Sequence, residues 1–407
     1  MTLPSSGHGQ GLAHAHGSGY GPGPLHGLKV LEFGQIAAGP FAGMLFADLG
    51  ADVVKVERPD TGDGMREWPP FVEGEDGDPF SANFSSLNRN KRSVAFDFKS
   101  PEQLTRLRAL CAKADIIVEN YRPGVLGKFG LDYESLAALN PRLVYCSISG
   151  YGQEGPYAGK GAFDVTIQAI SGLMSVTGEE EGEPVKCGVP VADFAAGLYG
   201  AYTVLAAVLQ ADRTGRGAYI DTPMLGSVLG ISALQTSEYY GNGAAPKRLG
   251  SAHPRNAPYQ GFRGSDKPFV IAAGNDKLWG EVCAAVGRPE LECDPRFLRQ
   301  IDRARHQKQL AALLQETFDR RTASEWLAEF DRRGVPCAPV NDFADILRDP
   351  AVADSGLLHE LDLPNGAKTT TVGYPVKLSG YTFRIGKRPP RKGEHNQAIF
   401  EEWGVEL

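Results

Sequence analysis

From Leu28 onward, short apolar runs alternate with longer stretches whose apolar residues recur at helical spacing. LKVLEF (28–33) and DVVKVE (52–57) flank a helical segment near 39–49. SVAFDF, a helix from Pro101 to Ala114, DIIVEN, a helix near 124–139 and LVYCSIS continue the alternation. Pro101 suits the first turn of its helix, because the N–H it lacks would be unpaired there anyway. Strands alternating with helices of ten to fifteen residues predict βαβ units and a parallel sheet covered on both faces. The expected fold class is therefore α/β, with a doubly wound parallel sheet in a large domain.

Beyond residue 150 the pattern is less regular. VPVADFAAGLYGAYTVLAAVLQ (189–210) predicts a long helix over 194–210 and carries one charge, Asp193. Its most apolar part, 194–209, is short and contains Gly197 and Gly200, which predicts a buried helix rather than a membrane span. A Gly-, Pro- and Asn-rich stretch follows around 241–267, then a strand run in KPFVIAAGN and an amphipathic helical region over 305–330. The division expected is a tail (1–26), a large α/β domain (27–224), a smaller α+β domain (225–337) and a last section (338–407) that returns to the first.

Composition narrows the function. The 407 residues are 42% hydrophobic and 22% charged, which suits a soluble globular protein. A formal net charge of −7 argues against general nucleic-acid binding, though not against a local basic pocket. The six cysteines are scattered, with no C-x-x-C, and read as reduced thiols of a cytoplasmic protein. The first 26 residues are rich in Gly, His, Ser and Pro, including His8, His14, His16 and His26. They lack the apolar core of a signal peptide and are expected to be disordered. No metal-ligand spacing occurs outside that tail.

Three features bear on chemistry. GYGQEG (150–155) matches G-x-G-x-x-G, but it follows the fifth strand and Pro156 blocks a prompt helix; the first βα turn, FGQIAAGP, lacks the fingerprint. A dinucleotide loop is therefore disfavoured. Arg58, Lys99, Arg122 and Lys128 recur near strand ends, where an open parallel sheet meets its ligand, and point to a polyphosphate group. Asp193 reads equally as the N-cap of a helix beginning near Phe194 or as a carboxylate nucleophile among small residues. Local sequence leaves both open.

Many ordered blocks resemble the class III coenzyme A transferases: LKVLEF with the following AGP, LGADVVKVERP, GD-x-x-R-x-W, NRNKRSVAFDFKSPE, ADIIVENYRPG, SGYGQEGPY, FDVTIQAISGLMSVTG, VPVADFAAG, TGRGAYIDTPML, GVPCAPV and the terminal GEH. The likeness runs from about Gly27 nearly to the C-terminus. It implies an interlocked, ring-like homodimer and no permanently bound cofactor, with coenzyme A and its thioesters as substrates. It places the nucleophile at Asp193, which would form a mixed anhydride and then an aspartyl-CoA thioester. It implies no membrane or nucleic-acid partner.

The same resemblance carries CoA contacts onto Ala38, Arg58, Phe96, Asp97, Phe98, Lys99, Asn120, Tyr121, Arg122, Lys128, Lys160 and Phe163. Lys128 stands where the family has an arginine, keeping charge but not bidentate geometry. Gln35 and Ala37 depart from the His and Gln of formyl-CoA transferase. SAHPRNAPY (251–259) more closely resembles transferases using succinyl-CoA and dicarboxylates, with His253 or Arg255 expected to meet a second carboxylate. Two alternatives remain at this point. A 2-methylacyl-CoA racemase would need a histidine where Phe163 stands, which leaves Asp164 as a supporting carboxylate; a non-catalytic CoA-binding protein would not need Asp193.

Overall fold

The computed structural model describes residues 23–75 and 77–405. Most of the expected tail lies outside them. Residues 23–26 form a turn instead, with Leu25 N–H donating to Leu49 O at 3.0 Å.

Six strands build one parallel sheet: β1 (Lys29–Phe33), β2 (Asp52–Glu57), β3 (Arg92–Ala95), β4 (Ile116–Glu119), β5 (Val144–Ser149) and β6 (Ala218–Pro223). Their order is β3-β2-β1-β4-β5-β6, every neighbouring pair parallel. The strands read as nearly continuous apolar runs because both faces are covered. Alternate residues feed two cores. Val30, Val53, Ile116 and Val144 join the core beneath α1 (Ala38–Asp48). Leu31, Val54, Ile117 and Tyr145 join the opposite core, with Leu107 and Leu110 of α2 (Pro101–Cys111). Pro101 occupies the first turn of α2 as expected, and Ser100 caps that helix.

Two further helices on the α1 side, α3 (Asp164–Ile170) and α4 (Val191–Thr214), matter for function. Gly197 lets α4 meet the start of α1: a Cβ there would lie 2.9 Å from the Phe41 ring and 3.0 Å from Ala38 O. The aromatic rings of Phe41 and Phe194 pack at 4.6 Å between centroids. Helix α4 bears out a long helix but corrects the expectation that it is buried. It has 24 residues and is long and apolar enough to cross a membrane, yet only 39% of its most apolar window is buried. It starts at Val191 rather than 194 and runs on to Thr214 rather than 210.

The helix expected near 124–139 is also corrected. A single 3₁₀ turn (Leu126–Phe129) ends at Gly130, whose φ of +59° stops it. A five-residue helix (Tyr133–Ala137) restarts with Asp132 as cap.

The later chain gathers around a second core of Phe262, Phe269, Trp279, Phe318, Trp326 and Phe330. These pack on an antiparallel sheet of β7 (Tyr259–Arg263), β8 (Pro268–Ala272) and β9 (Cys337–Pro339), ordered β9-β8-β7. The region 305–330 forms two helices, Gln307–Phe318 and Ala323–Arg332, separated by the Thr322–Glu325 capping box that opens the second. The C-terminal residues come back to the parallel sheet: His395 N–H donates to Ser93 O at 2.9 Å. The last helix, α5 (Asn396–Trp403), inserts Ile399, Phe400 and Trp403 into the second core of that sheet.

Candidate active site

In a doubly wound sheet the ligand crevice opens where strand order reverses, here at the carboxyl ends of β1 and β4. The loops leaving those two strands are tied by one side chain. Asn120 Oδ1 accepts from Gln35 N–H at 2.8 Å, and Asn120 Nδ2 donates to Gln35 O at 2.9 Å. Tyr121 N–H donates to the Glu119 carboxylate at 2.7 Å, and its hydroxyl accepts from Gln35 Nε2 at 3.4 Å. The next residue, Ile36, has a φ of +64°, rare for a β-branched side chain. Helix α1 then begins with Ala37 at its cap and no side-chain cap bond.

The opposite wall is built by α3 and α4. Asp164 Oδ1 accepts from Ala192 N–H at 2.8 Å, and its Oδ2 accepts from Gln168 Nε2 at 2.6 Å. The fully buried Gln168 is fixed in turn by Cys187 N–H, which donates to its Oε1 at 2.8 Å. Asp164 thus caps α4 from outside it. This corrects the capping role considered for Asp193, which lies in the first turn of α4, two residues inside its start.

Freed from capping, Asp193 is a half-buried carboxyl with no hydrogen-bond partner among the described residues. Burial, and then the nearby Asp164 carboxylate, push its pKa up to about 7. The N-terminus of α4 acts in the opposite direction, favouring the anion. The result is a carboxylate that is basic for its type and still ionised in part near neutrality.

A cavity of about 500 Å³ lies between these walls. It brings together Gln35, Ala38, Asn120, Tyr121, Arg122, Lys160, Phe163, Asp164 and Asp193. Other expected residues lie off it. Arg58 follows β2 and pairs with Asp60 at 2.6 Å. Phe96 is buried against Phe400, while Phe98 packs between Phe33 and Phe129. Asp97 accepts from Lys99 N–H at 2.9 Å, and the Lys99 and Lys128 side chains are exposed. His253 stacks on Tyr259, and Arg255 pairs with Glu238; neither lines the cavity.

Ile36, Trp68, Ser149 and Met224 also line the cavity, although sequence reading did not single them out. Trp68 stood inside the quoted GD-x-x-R-x-W motif, which was its available signal. Gln168, which orients Asp164, stood inside the quoted FDVTIQAISGLMSVTG block in the same way.

The family model of CoA-transferase family III matches residues 25–396. A succinate–glutarate CoA-transferase from Agrobacterium fabrum is 38% identical over 93% of this chain and 95% of its own length. The human succinyl-CoA:glutarate CoA-transferase is 38% identical over 93% of this chain and 86% of its own. A succinyl-CoA:mesaconate CoA-transferase from Haloarcula hispanica is 38% identical over 94% of this chain and 97% of its own. The crystal structure of a CAIB/BAIF family protein from Brucella suis superposes with a TM-score of 0.85, at 41% identity, covering 94% of this chain and all of that one.

Proposed function

The chain belongs to CoA-transferase family III and is a CoA-transferase, and from that premise we propose that it moves CoA from succinyl-CoA to a second carboxylic acid through covalent intermediates on Asp193. The observation that carries the reading is the state of Asp193: a half-buried carboxyl, unbonded, raised to about 7, in the cavity at the sheet's switch point.

A partly ionised carboxylate of raised pKa is a better nucleophile than an ordinary one at the same fraction ionised. Asp193 attacks the thioester carbonyl; the C–S bond breaks, leaving a mixed anhydride and CoA thiolate. The thiolate attacks the aspartyl carbonyl of the anhydride, releasing the donor acid as its carboxylate and forming aspartyl-CoA. The acceptor carboxylate then attacks that thioester, and the thiolate so released takes the acceptor acyl group from the second anhydride. Atoms balance at every step and Asp193 is regenerated. Water would hydrolyse either anhydride, so its exclusion by the surrounding small apolar residues favours transfer.

The acceptor is proposed to be a dicarboxylic acid. The relatives named for glutarate and mesaconate support this, as does the SAHPRNAPY segment. Arg122 and Lys160 on the cavity wall suit the phosphates of CoA, with Arg58, Lys99 and Lys128 nearby on the same sheet edge. A homodimer is part of the proposal. Leu198, Tyr202 and Leu209 on α4 are 53%, 75% and 58% exposed. An apolar hollow of about 760 Å³ runs between α1, α4 and residues 370–376.

The test is to incubate the protein with succinyl-CoA and weigh the peptide carrying Asp193. A CoA adduct that is absent from Asp193→Ala is the expected result. An unmodified peptide from protein that still binds CoA would sink the covalent mechanism. A screen of carboxylic acids against succinyl-CoA, with the product esters detected directly, identifies the acceptor.

A further inference from the structure

Four charged side chains outside that chemistry are sealed behind the loop joining β1 to α1. Glu32 (β1), Lys55 (β2), Asp63 and Lys91 have no exposed side-chain surface. Lys55 Nζ lies 2.8 Å from a Glu32 oxygen and 2.8 Å from an Asp63 oxygen; Lys91 Nζ lies 2.6 Å from the other Glu32 oxygen. Their formal charges cancel.

Besides Lys91 donating to Asn88 Oδ1 at 3.0 Å and Asp63 accepting from Met65 N–H at 2.9 Å, three contacts of this tetrad reach one stretch of main chain. Lys55 donates to Gly34 O at 2.7 Å, and Lys91 donates to Pro40 O at 2.7 Å. Asp63 accepts from Ile36 N–H at 3.0 Å. The segment 34–40 is therefore held at both ends and in the middle, while Asn120 holds Gln35 from the other side. Within it Ile36 keeps its left-handed backbone, a conformation costing an L residue on the order of 1–2 kcal/mol. Helix α1 is hollowed for the same purpose: a Cβ on Gly43 would lie 2.0 Å from Glu32 Oε2. Glycine inside a helix costs about 1 kcal/mol relative to alanine.

Fold stability does not account for the arrangement. Apolar residues of the same volume hold a core at least as well as buried ion pairs do. What charges supply and hydrocarbon cannot is a set of directed bonds to main-chain groups. Gln35, Ile36, Ala37 and Ala38 line the cavity that contains Asp193. We propose that the Glu32–Lys55–Asp63–Lys91 tetrad is a positioning device, which fixes the 34–40 loop as the wall against which the acyl thioester is set for attack by Asp193. The use of that wall rests on the transfer reading above; the anchoring of the loop does not.

The pair variant Glu32→Gln/Lys91→Met removes one charge of each sign and leaves the Lys55–Asp63 pair. It is expected to fold, with amide hydrogen exchange in peptides spanning 34–40 at least about tenfold faster and that of 259–272 unchanged. Its kcat for CoA transfer should fall by about 30-fold or more, with KM for the acyl-CoA within about threefold, because misplacement of reacting groups is felt in the chemical step. Faster exchange with unchanged kcat reduces the tetrad to a structural anchor and overturns the proposal, as does unchanged exchange. Should the pair variant not fold, Ile36→Gly decides: it keeps all four charges and frees the strained backbone while giving up that side chain's packing against the core of Met65 and Phe84, so kcat is expected to drop about tenfold in protein that still melts cooperatively; an unchanged kcat overturns the proposal. A parent enzyme that transfers no CoA, with exchange still raised in the pair variant, fails the transfer reading and with it the catalytic use of the loop. A parent that transfers, matched by its folded variants, fails the positioning claim alone.

Discussion

Asp63 and Asp193 are the same side chain treated in opposite ways on two sides of one cavity wall. Burial would raise Asp63, but the Lys55 ammonium beside it, and N–H donors from Met65 and Ile36, hold its pKa below the ordinary value. Asp193 has no such company: burial raises it, the Asp164 carboxylate raises it further, and it reaches about 7. Where main chain must be held, the fold surrounds a carboxylate with donors. Where the proposed mechanism makes a bond, it leaves the carboxylate with free lone pairs.

Removing each member of this contrast should fail in a different currency. Asp193→Ala is expected to lose kcat by on the order of 10⁴-fold or more, the range seen when a covalent nucleophile is deleted, with no loss of thermal stability. Steady-state transfer assays beside a thermal melt check both halves; residual activity within tenfold of the parent would remove Asp193 from the chemistry. Lys91→Met alone should show first as a loss of stability. It strands Glu32 with a surplus negative charge in a sealed site, which costs about 3–5 kcal/mol of stability. Denaturant unfolding measures this, and a loss below about 1 kcal/mol would mean that water reaches the tetrad.

Asp164→Asn sharpens the comparison at a smaller scale. The amide can still accept from Ala192 N–H, so α4 keeps its cap, but the charge facing Asp193 is gone. The acid limb of kcat/KM, expected near pH 7 because the proposed nucleophile Asp193 must be ionised, should move down by about 1 unit or less. The rate should fall about 10-fold with the basicity lost and with Gln168 now facing an amide. A limb that stays where it was would leave burial as the sole cause of the raised pKa.

How much of this was readable in advance follows from the range of the interactions. The parallel sheet was legible because a doubly covered strand is a continuous apolar run, visible within six residues. The helix near 124–139 was misread because its apolar spacing continues through Gly130, whose backbone conformation overrides it. Of the two readings left open for Asp193, the cap falls because the cap comes from Asp164, 28 positions before Ala192. The tetrad was not legible at all. Glu32, Lys55, Asp63 and Lys91 sat inside four of the quoted motifs, yet nothing local distinguishes them from surface charges; only the sheet order brings them together. The partial exposure of α4 was hidden for a similar reason, since composition shows that a helix is apolar but not what covers it.

The smallest expected effect tests the unpaired state of Asp193 without any assay of activity. Its pKa is raised on folding, from 3.8 to about 7, so the native state holds that proton more tightly than the unfolded chain does. The associated stability is fully present below about pH 4 and is lost as pH rises through about 7. At pH 8 the folded protein therefore carries an ionised, uncompensated carboxylate that asparagine would not impose. Asp193→Asn should match the parent below about pH 4, where Asp193 is neutral in both the native and the unfolded state, and exceed it at pH 8. The gain is on the order of 1 kcal/mol once solvent screening of a half-buried group is allowed for, a Tm rise of a degree or two in a chain of this size. Melts of the two proteins from about pH 4 to pH 8 give the answer. An asparagine variant less stable at pH 8 would mean that the anion has a stabilising partner, such as the positive end of α4, strong enough to outweigh burial, and the contrast with Asp63 would then be one of degree.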